Sequence, residues 1–239
     1  MPYRREQFIN GEIYHIVVRR IGDRSLFIDI DDYYRGIFSI YEFNDTKPVV
    51  IRDRRKARAE IKKLNRDPLS VIDNRDHLVE ILVFCFMPNH IHLLLRQLKE
   101  GGITKFMNKF GAGYSGYFKQ KHGEKRKGYF FQGRFVSVHI KTEEQLKTVF
   151  VYIHTNPLSL IEPNWRENGI KNPGKAIKFL EDYKWSSYPD YIEKKNFPSV
   201  TERNFMLKIM GGEQGCKSFV ENWIRYKGEI KEFPELALE

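Results

Sequence analysis

Cysteines, long apolar runs and phosphate-binding glycine motifs are scarce or missing in this chain of 239 residues. Its two cysteines, Cys85 and Cys216, are too few for a disulfide framework, which fits a reducing cytoplasm. The longest apolar run, 81–88, is too short to span a bilayer, and the charged N-terminal MPYRREQF lacks the apolar core of a signal peptide. We therefore expect a cytoplasmic protein that is neither a membrane protein nor a P-loop nucleotidase.

Positive charge and aromatic side chains are abundant instead. The chain has 41 Lys and Arg against 31 Asp and Glu, which gives a formal net charge of +10, and it carries 18 Phe and 13 Tyr. A basic balance of this size favours a polyanionic partner, nucleic acid before an anionic membrane, and aromatic rings can stack on bases. The alternative is a basic surface that binds nothing specific.

Strand and helix patterns alternate along the first two thirds of the chain. Runs of β-branched and apolar residues predict strands, and apolar residues spaced three and four apart predict helices. The last helix has a capping-box pattern at its start, Thr142 with Gln145, and Pro157 ends it. The predicted elements are a strand over 13–21, a helix over 31–44, a hairpin of strands over 79–86 and 91–95, a helix over 103–121, a strand over 134–140 and a helix over 142–156.

This order of elements predicts an α+β fold. We expect a ferredoxin-like or RRM-like antiparallel sheet with helices packed on one face, followed by a C-terminal helical extension. The domain division that follows is a first domain over 1–160 and the extension over 161–239. A basic helical insertion at about 45–76 is either a solvated surface helix or a DNA-facing one. Folds of this class serve many functions, so function must come from the site.

The first candidate site is the pair His90 and His92 in the sequence MPNHIHLLL. Alternation along a strand places both imidazoles on one face, with Ile91 on the other. Two imidazoles on one face can chelate a metal, whereas an unpaired polar ring in an apolar hairpin costs free energy. The pattern favours a metal site over two ordinary strand histidines.

The second candidate is VYIHTNP at the end of the last helix. Tyr152 and Asn156 are one helical turn apart, so a phenol and an amide oxygen reach the same neighbourhood. Spacing alone equally allows a core aromatic and a C-cap, and on spacing alone that interpretation is favoured.

Together these motifs resemble the REP-associated tyrosine transposases and their insertion-sequence relatives, the single-tyrosine HUH transposases. The resemblance covers about residues 10–190 and leaves out the tail after about 195. Its motifs, in the family's order, are Tyr14-His15, Met87-Pro88-Asn89-His90-Ile91-His92, Gln132-Gly133-Arg134-Phe135, Tyr152-Ile153 with Asn156-Pro157, and Trp185-Ser186-Ser187-Tyr188.

The resemblance implies a catalytic domain over 1–160 with a defined chemistry. His90 and His92 would bind a divalent metal, Mg²⁺ or Mn²⁺, and Asn156 would complete the site. Tyr152 would attack the scissile phosphate of single-stranded, hairpin-associated DNA and leave a 5′-phosphotyrosine and a free 3′-hydroxyl, which stores the bond energy without ATP. Tyr114 and Tyr117 are rival nucleophiles, and no role is assigned to His154.

Basic residues are expected to hold the DNA through its phosphates. Each has plain surface charge as its alternative, least so Arg134, which lies in a family motif. The candidates are Arg19, Arg20, Lys119, Lys121, Lys125, Arg126, Lys127 and Arg134.

Two other functions compete with transposition. One is a non-catalytic or domesticated binding protein of the same fold, which the intact His90, His92, Tyr152 and Asn156 argue against. The other is a metal-dependent hydrolase that activates water and needs no tyrosine. For the assembly we expect a monomer rather than a homodimer, because the extension would cover surface that dimers use.

Overall fold

The centre of the molecule is a four-stranded antiparallel sheet. The computed structural model describes residues 7–63, 73–124 and 128–226. The strands are β1 (Ile13–Arg19), β2 (Val79–Phe86), β3 (His90–Gln97) and β4 (Val136–Ile140), and their order across the sheet is β2-β3-β1-β4. With helices after β1 and β3, this is the ferredoxin-like arrangement that the order of the sequence patterns predicts.

Two helices cover one face of the sheet. They are α1 (Ile30–Glu42) and α3 (Gly102–His122), and they pack on the side chains of β1 and β3 that include Ile16 and Ile91. The basic insertion contributes α2 (Ile51–Lys63), which packs on α1 and whose side chains are largely exposed. The rest of the insertion, 64–72, lies outside the described residues.

A glycine allows the closest contact on this face. Gly113 lies inside α3, where a Cβ atom would come within 2.2 Å of the Phe43 ring. The Phe43 side chain is buried there, so only a residue without a side chain lets the helix approach.

The opposite face is covered as well, which corrects the prediction that helices pack on one face only. Helix α4 (Glu143–Thr155) lies against β2 and β3, and its Leu146, Phe150 and Ile153 are buried. Its N-cap is as the sequence predicts, since the backbone N–H of Gln145 donates to Thr142 Oγ1 at 3.2 Å. Sheet positions that face α4 are therefore inside the protein, not in solvent.

The C-terminal extension forms the outer layer over α4. It contains α5 (Trp165–Asn168), α6 (Pro173–Asp182), α7 (Arg203–Met210) and α8 (Gly212–Tyr226). These helices bury Trp165, Leu180 and Trp223 in the same apolar cluster as α4. No helix among the described residues is both long and apolar enough to cross a membrane.

The WSSY motif protects an edge of the sheet. Phe86 N–H donates to the carbonyl of Trp185 at 2.8 Å, and Ser187 N–H donates to the carbonyl of Phe84 at 3.0 Å. The segment thus extends the ladder of β2, whose outer edge would otherwise expose its backbone polar groups. Ser187 Oγ also lies 2.9 Å from His154 Nε2, which gives His154 a structural contact.

Candidate active site between the sheet and helix α4

Three histidines meet on the sheet face that α4 covers. In the antiparallel register of β1 and β3, Arg19 is opposite His90, Val17 is opposite His92, and His15 is opposite Leu94. Directly opposed residues share a face, so His15, His90 and His92 all face α4. The prediction that His90 and His92 share a face is confirmed.

Hydrogen bonds hold each histidine ring by Nδ1 or Nε2. His92 Nδ1 lies 3.0 Å from His15 Nε2, and His90 Nδ1 lies 2.6 Å from Asn89 Oδ1. Since an amide oxygen only accepts, His90 carries its proton on Nδ1 when it is neutral. If neutral His92 also carries its proton on Nδ1, that N–H donates to Nε2 of His15. The proton of neutral His15 is then on its own Nδ1.

His92 is kept in its neutral form. Its ring is fully buried, and that burial, together with the positive fields of His90, His15 and Arg166, holds its pKa well below the ordinary value. A neutral imidazole is the form that ligates metal ions.

Tyr152 brings a phenol to the same place from α4. Its ring meets the rings of His15 and His92 edge-on, with both centroid separations at 5.8 Å. Asn156 follows one turn later, where α4 passes into a 3₁₀ turn, and its side chain is completely buried. The helical spacing that relates Tyr152 to Asn156 therefore places both beside the histidines.

The extension contributes an arginine to the site. Arg166, in α5, donates from Nη2 to Asn156 Oδ1, and its guanidinium carbon lies 5.1 Å from the centroid of the Tyr152 ring. Arg19 approaches from the sheet side, in register with His90. A guanidinium group beside a phenol suits a phosphate group, which arginine recognises through paired N–H donors.

The residues present fit a divalent metal in part. His90 and His92 have their Nδ1 atoms engaged by Asn89 and His15, the outer contacts that orient metal-binding imidazoles, so Nε2 is the ligand atom of each. Asn156 Oδ1 accepts from Arg166, and a cation bound to that oxygen would be repelled by the guanidinium. The two imidazoles therefore fit a divalent metal. Asn156 could be a third ligand only if Arg166 left its amide oxygen, for example to bind an anion.

A second group of possible ligands lies on the other face of the sheet. Asp29, Asp32 and His122 offer atoms within 4.8 Å of one another. Lys121 Nζ already lies 2.6 Å from Asp29 and 3.1 Å from Asp32, so an ammonium group occupies the position of a cation. Asp29 and Asp32 also form the capping box of α1, which explains their proximity without a metal.

The rival tyrosines lie away from the histidines. Tyr114 is buried under the opposite face of the sheet, where its hydroxyl donates to the carbonyl of Leu26 at 2.9 Å and burial raises its pKa far above the usual value. Tyr117 donates to Asp32 at 3.0 Å, and burial again raises its pKa. Both hydroxyls are in structural contacts, and Tyr152 is the tyrosine beside the histidines.

The basic residues proposed from the sequence fall into different environments. Arg20 is buried, with its guanidinium 2.6 Å from Glu124 and stacked on Phe118 and Phe130, so it stabilises the fold and leaves the DNA-binding set. Lys121 is committed to Asp29 and Asp32.

The other basic candidates keep their role as predictions. Arg19 is at the site, Lys119 is half-buried beside Glu124, and Arg134 is exposed along a cavity of about 510 Å³. Lys125, Arg126 and Lys127 lie outside the described residues.

Comparison with known proteins assigns the central part of the chain. The family model described as "Transposase IS200 like" matches residues 49–156, which include His90, His92, Tyr152 and Asn156. This confirms the family resemblance seen in the sequence; His15 and Arg166 lie outside the matched segment. No curated protein matches the chain.

Solved structures give a weaker likeness. A REP-associated tyrosine transposase bound to a REP hairpin is similar to 85% of this chain and 96% of its own, with 18% sequence identity and a TM-score of 0.45. A likeness of this degree carries no weight for function.

Proposed function

We propose that this chain, whose residues 49–156 match the family model described as "Transposase IS200 like", cuts and rejoins single-stranded DNA through a covalent bond to Tyr152. The observation that carries the proposal is the meeting of Tyr152 with His15, His90 and His92 on one face of the sheet. Arg166 brings a positive charge to the same phenol. The residues proposed as nucleophile, metal ligands and phosphate-binding group thus lie close together.

The chemical step exchanges one phosphoester bond for another. The Tyr152 oxygen attacks phosphorus, an O–P bond forms at the phenol, and the bond from phosphorus to the 3′ oxygen breaks. The phenol gives up one proton and the released 3′-hydroxyl gains one, so no oxidant and no ATP is needed. Return of that hydroxyl, or arrival of another DNA end, reverses the step and seals a junction.

A phenol with an ordinary pKa near 10 is a weak nucleophile at neutral pH and needs help. A divalent cation, Mg²⁺ or Mn²⁺, held by Nε2 of His90 and of His92, would polarise the scissile phosphate. Arg166 would leave Asn156 for a phosphate oxygen, which gives the amide oxygen of Asn156 to the metal. Arg19, which lies opposite His90 on the sheet, would approach the same phosphate from the other side.

The partner in this proposal is single-stranded DNA next to a hairpin, and the assembly is a monomer. The net charge of +10 supports a DNA partner. The extension packs over α4 and so covers that surface within one chain, which is the reason to favour the monomer.

A denaturing gel tests the reaction. Labelled single strands and hairpins from the flanks of the gene are incubated with the protein and Mn²⁺ or Mg²⁺, beside Tyr152→Phe and a matched control, Tyr117→Phe. We expect a metal-dependent adduct that resists denaturant, survives in Tyr117→Phe and is lost in Tyr152→Phe. The adduct should retain a label placed at the 3′ end of the strand. An adduct that instead retains a label placed at the 5′ end would contradict the polarity of the step.

The same assay separates the competing functions. Salt-sensitive binding with no adduct on any substrate would favour a binding protein without catalysis. Cleavage that continues in Tyr152→Phe would favour a hydrolase that activates water. His90→Ala and His92→Ala should each lower Mn²⁺ affinity, measured by calorimetry without DNA, which tests the metal site apart from catalysis.

A further inference from the structure

A large open groove lies on the sheet face opposite Tyr152. It encloses about 780 Å³ between α1, the start of α2, the end of α3 and the loop 196–200. Residues of α1 and α3 belong to the apolar cluster on the far side of the sheet from α4. The groove is therefore separate from the histidine–tyrosine site.

Aromatic rings form much of the groove wall. Tyr34 is 41% exposed, and Phe38, Tyr41, Tyr117 and Phe197 line the same space. Exposed or half-exposed rings grouped along one groove are more than a core needs, since core rings are covered. Cations already lie over some of these rings, with Arg58 at 4.8 Å from the centroid of Tyr41 and Lys184 at 4.8 Å from that of Tyr34. The ring surface that stays exposed is suited to stacking with planar groups such as bases.

Positive charge lines the same groove without full compensation. Arg35 lies 4.7 Å above the Tyr117 ring and donates to Ser39 Oγ at 3.1 Å, and Arg55 on α2 is exposed. Within the described ranges, no ion pair joins Arg35 or Arg55 to a carboxylate. Arg55 is instead a like-charge neighbour of Arg35, and with burial it lowers the pKa of Arg35.

The other charges of the groove are already balanced. Arg58 bonds the buried Glu42 at 2.7 Å, and Lys121 bonds Asp29 and Asp32. Asp31 is the acidic residue of the lining and lies 4.0 Å from Lys121. The unbalanced charge is thus concentrated at Arg35 and Arg55.

We propose that this groove, which we call the α1–α2 groove, binds a segment of single-stranded nucleic acid, with bases stacked on the aromatic wall and phosphates on Arg35 and Arg55. A duplex hides the faces of its bases, so the rings select an unpaired strand. Two adjacent guanidinium groups match the phosphates of a strand better than a neutral ligand. The proposal rests on the DNA partner of the proposed function and adds a binding surface remote from its chemistry.

Fluorescence anisotropy tests the groove directly. The probe is fluorescein-labelled oligothymidylate, single-stranded or annealed to its complement, without metal so that no cleavage intervenes. The variants are Arg55→Glu and Tyr34→Ala, both at exposed side chains, and the matched control is Arg225→Glu on α8.

We expect Arg55→Glu and Tyr34→Ala each to weaken single-strand binding by about fivefold or more, the loss expected when one phosphate or one stacking contact is removed. Arg55→Glu should also reduce the slope of log affinity against log salt by about one. Arg225→Glu should bind as the unaltered protein does, and duplex should bind more weakly than single strand.

Three results would overturn the proposal. They are unchanged affinity in both groove variants, an equal loss in Arg225→Glu, or duplex bound as tightly as single strand. Failure of the covalent chemistry is distinguishable from these results, because anisotropy needs no adduct. If the protein forms no adduct but Arg55→Glu still weakens binding, the proposed groove stands and only the proposed catalytic function fails.

Discussion

At the scale of single residues, alternation along β3 predicts which histidines share a face, but it cannot predict the third one. His15 belongs to a motif that the sequence shows, yet its contact with His92 depends on the register between β1 and β3, which joins residues 77 positions apart. Register follows from the packing of whole strands. Alternation alone separates Arg19 from Arg20: Arg19 lies on the face of the site, opposite His90, whereas Arg20 is buried on the other face over Phe118.

The environment of Asp32 predicts how the stability of the protein changes at acid pH. Burial alone would raise the pKa of Asp32, but hydrogen bonds from the Ile28 N–H, His122 and Lys121 lower it overall. A carboxyl whose pKa is lower in the folded protein contributes stability at pH values above its pKa in the unfolded chain, which is about 3.9. This contribution is lost as the pH falls through the folded pKa. The free energy of unfolding should therefore fall between pH 5 and pH 2 (roughly the window set by a lowered carboxyl pKa).

Asp32→Asn is the matched test, measured by urea unfolding across that pH range. At neutral pH the variant should be less stable by about 1–3 kcal/mol, because it loses charged hydrogen bonds. Its stability should also depend less on acid than that of the unaltered protein. An identical pH profile in both proteins would show that Asp32 is not the titrating group.

At the scale of elements, periodic patterns identify the strands and the long helices, and they fail for short pieces. The two apolar runs around Pro88 and Asn89 predict β2 and β3 because their residues are buried on both faces. Helix α5 has four residues, too few for any period, so the sequence gives no sign that it carries Arg166 to Tyr152. The same continuous runs indicate that both faces of β2 and β3 are covered, so the prediction of helices on one face overlooked a signal that the sequence contains.

Two glycines of α3 make a matched pair. Gly113→Ala should destabilise the protein by about 1–3 kcal/mol, because the added methyl group meets the buried Phe43 ring. Gly116→Ala has nothing within 4 Å of its new methyl group and should stabilise the helix by about 0.5–1 kcal/mol. Thermal or urea unfolding of the two variants measures both effects, and equal shifts of the same sign would refute the close contact.

Arg166 tests the role of the extension in the reaction. Removal of its guanidinium should slow adduct formation on the order of 100-fold, as expected when a donor to a developing negative charge is lost. DNA affinity should fall only by about fivefold, the effect of one lost phosphate contact, which is far less than the loss of rate. Single-turnover rates for Arg166→Ala, Arg166→Lys and the control Arg225→Ala give the comparison.

Lysine should restore part of the rate, because it keeps the charge but lacks the paired donors of arginine. A faster reaction in Arg166→Ala would mean that the arginine obstructs the metal site through Asn156. An unchanged rate would mean that Arg166 has a structural role only, through contacts such as the one to Asn156.

At the scale of the whole molecule, the charge and aromatic content predict a nucleic-acid partner, but they do not predict where the binding surfaces lie. The division of the chain at residue 160 follows the motifs and stays a prediction. In the structure, Tyr191 of the extension lies 5.0 Å from Phe150 of α4, and its hydroxyl donates to the carbonyl of Leu82 at 2.6 Å. A boundary at residue 160 therefore separates side chains that pack together in one apolar core.

A chain that ends at residue 160 should not fold cooperatively, because the apolar outer face of α4 would be exposed. A chain that ends at residue 226 keeps every described helix and is the control. Circular dichroism during urea unfolding, together with gel filtration, distinguishes them. A sharp, reversible transition for the shorter chain would show that the extension is dispensable for folding.

The most direct test of the central claim is to locate the covalent bond. The protein is incubated with single-stranded DNA from its gene flanks and Mn²⁺, the adduct is digested with nuclease and protease, and the modified peptide is sequenced by tandem mass spectrometry. We predict a nucleotide joined through its 5′ phosphate to Tyr152. A nucleotide on Tyr114, Tyr117 or any other residue would contradict it.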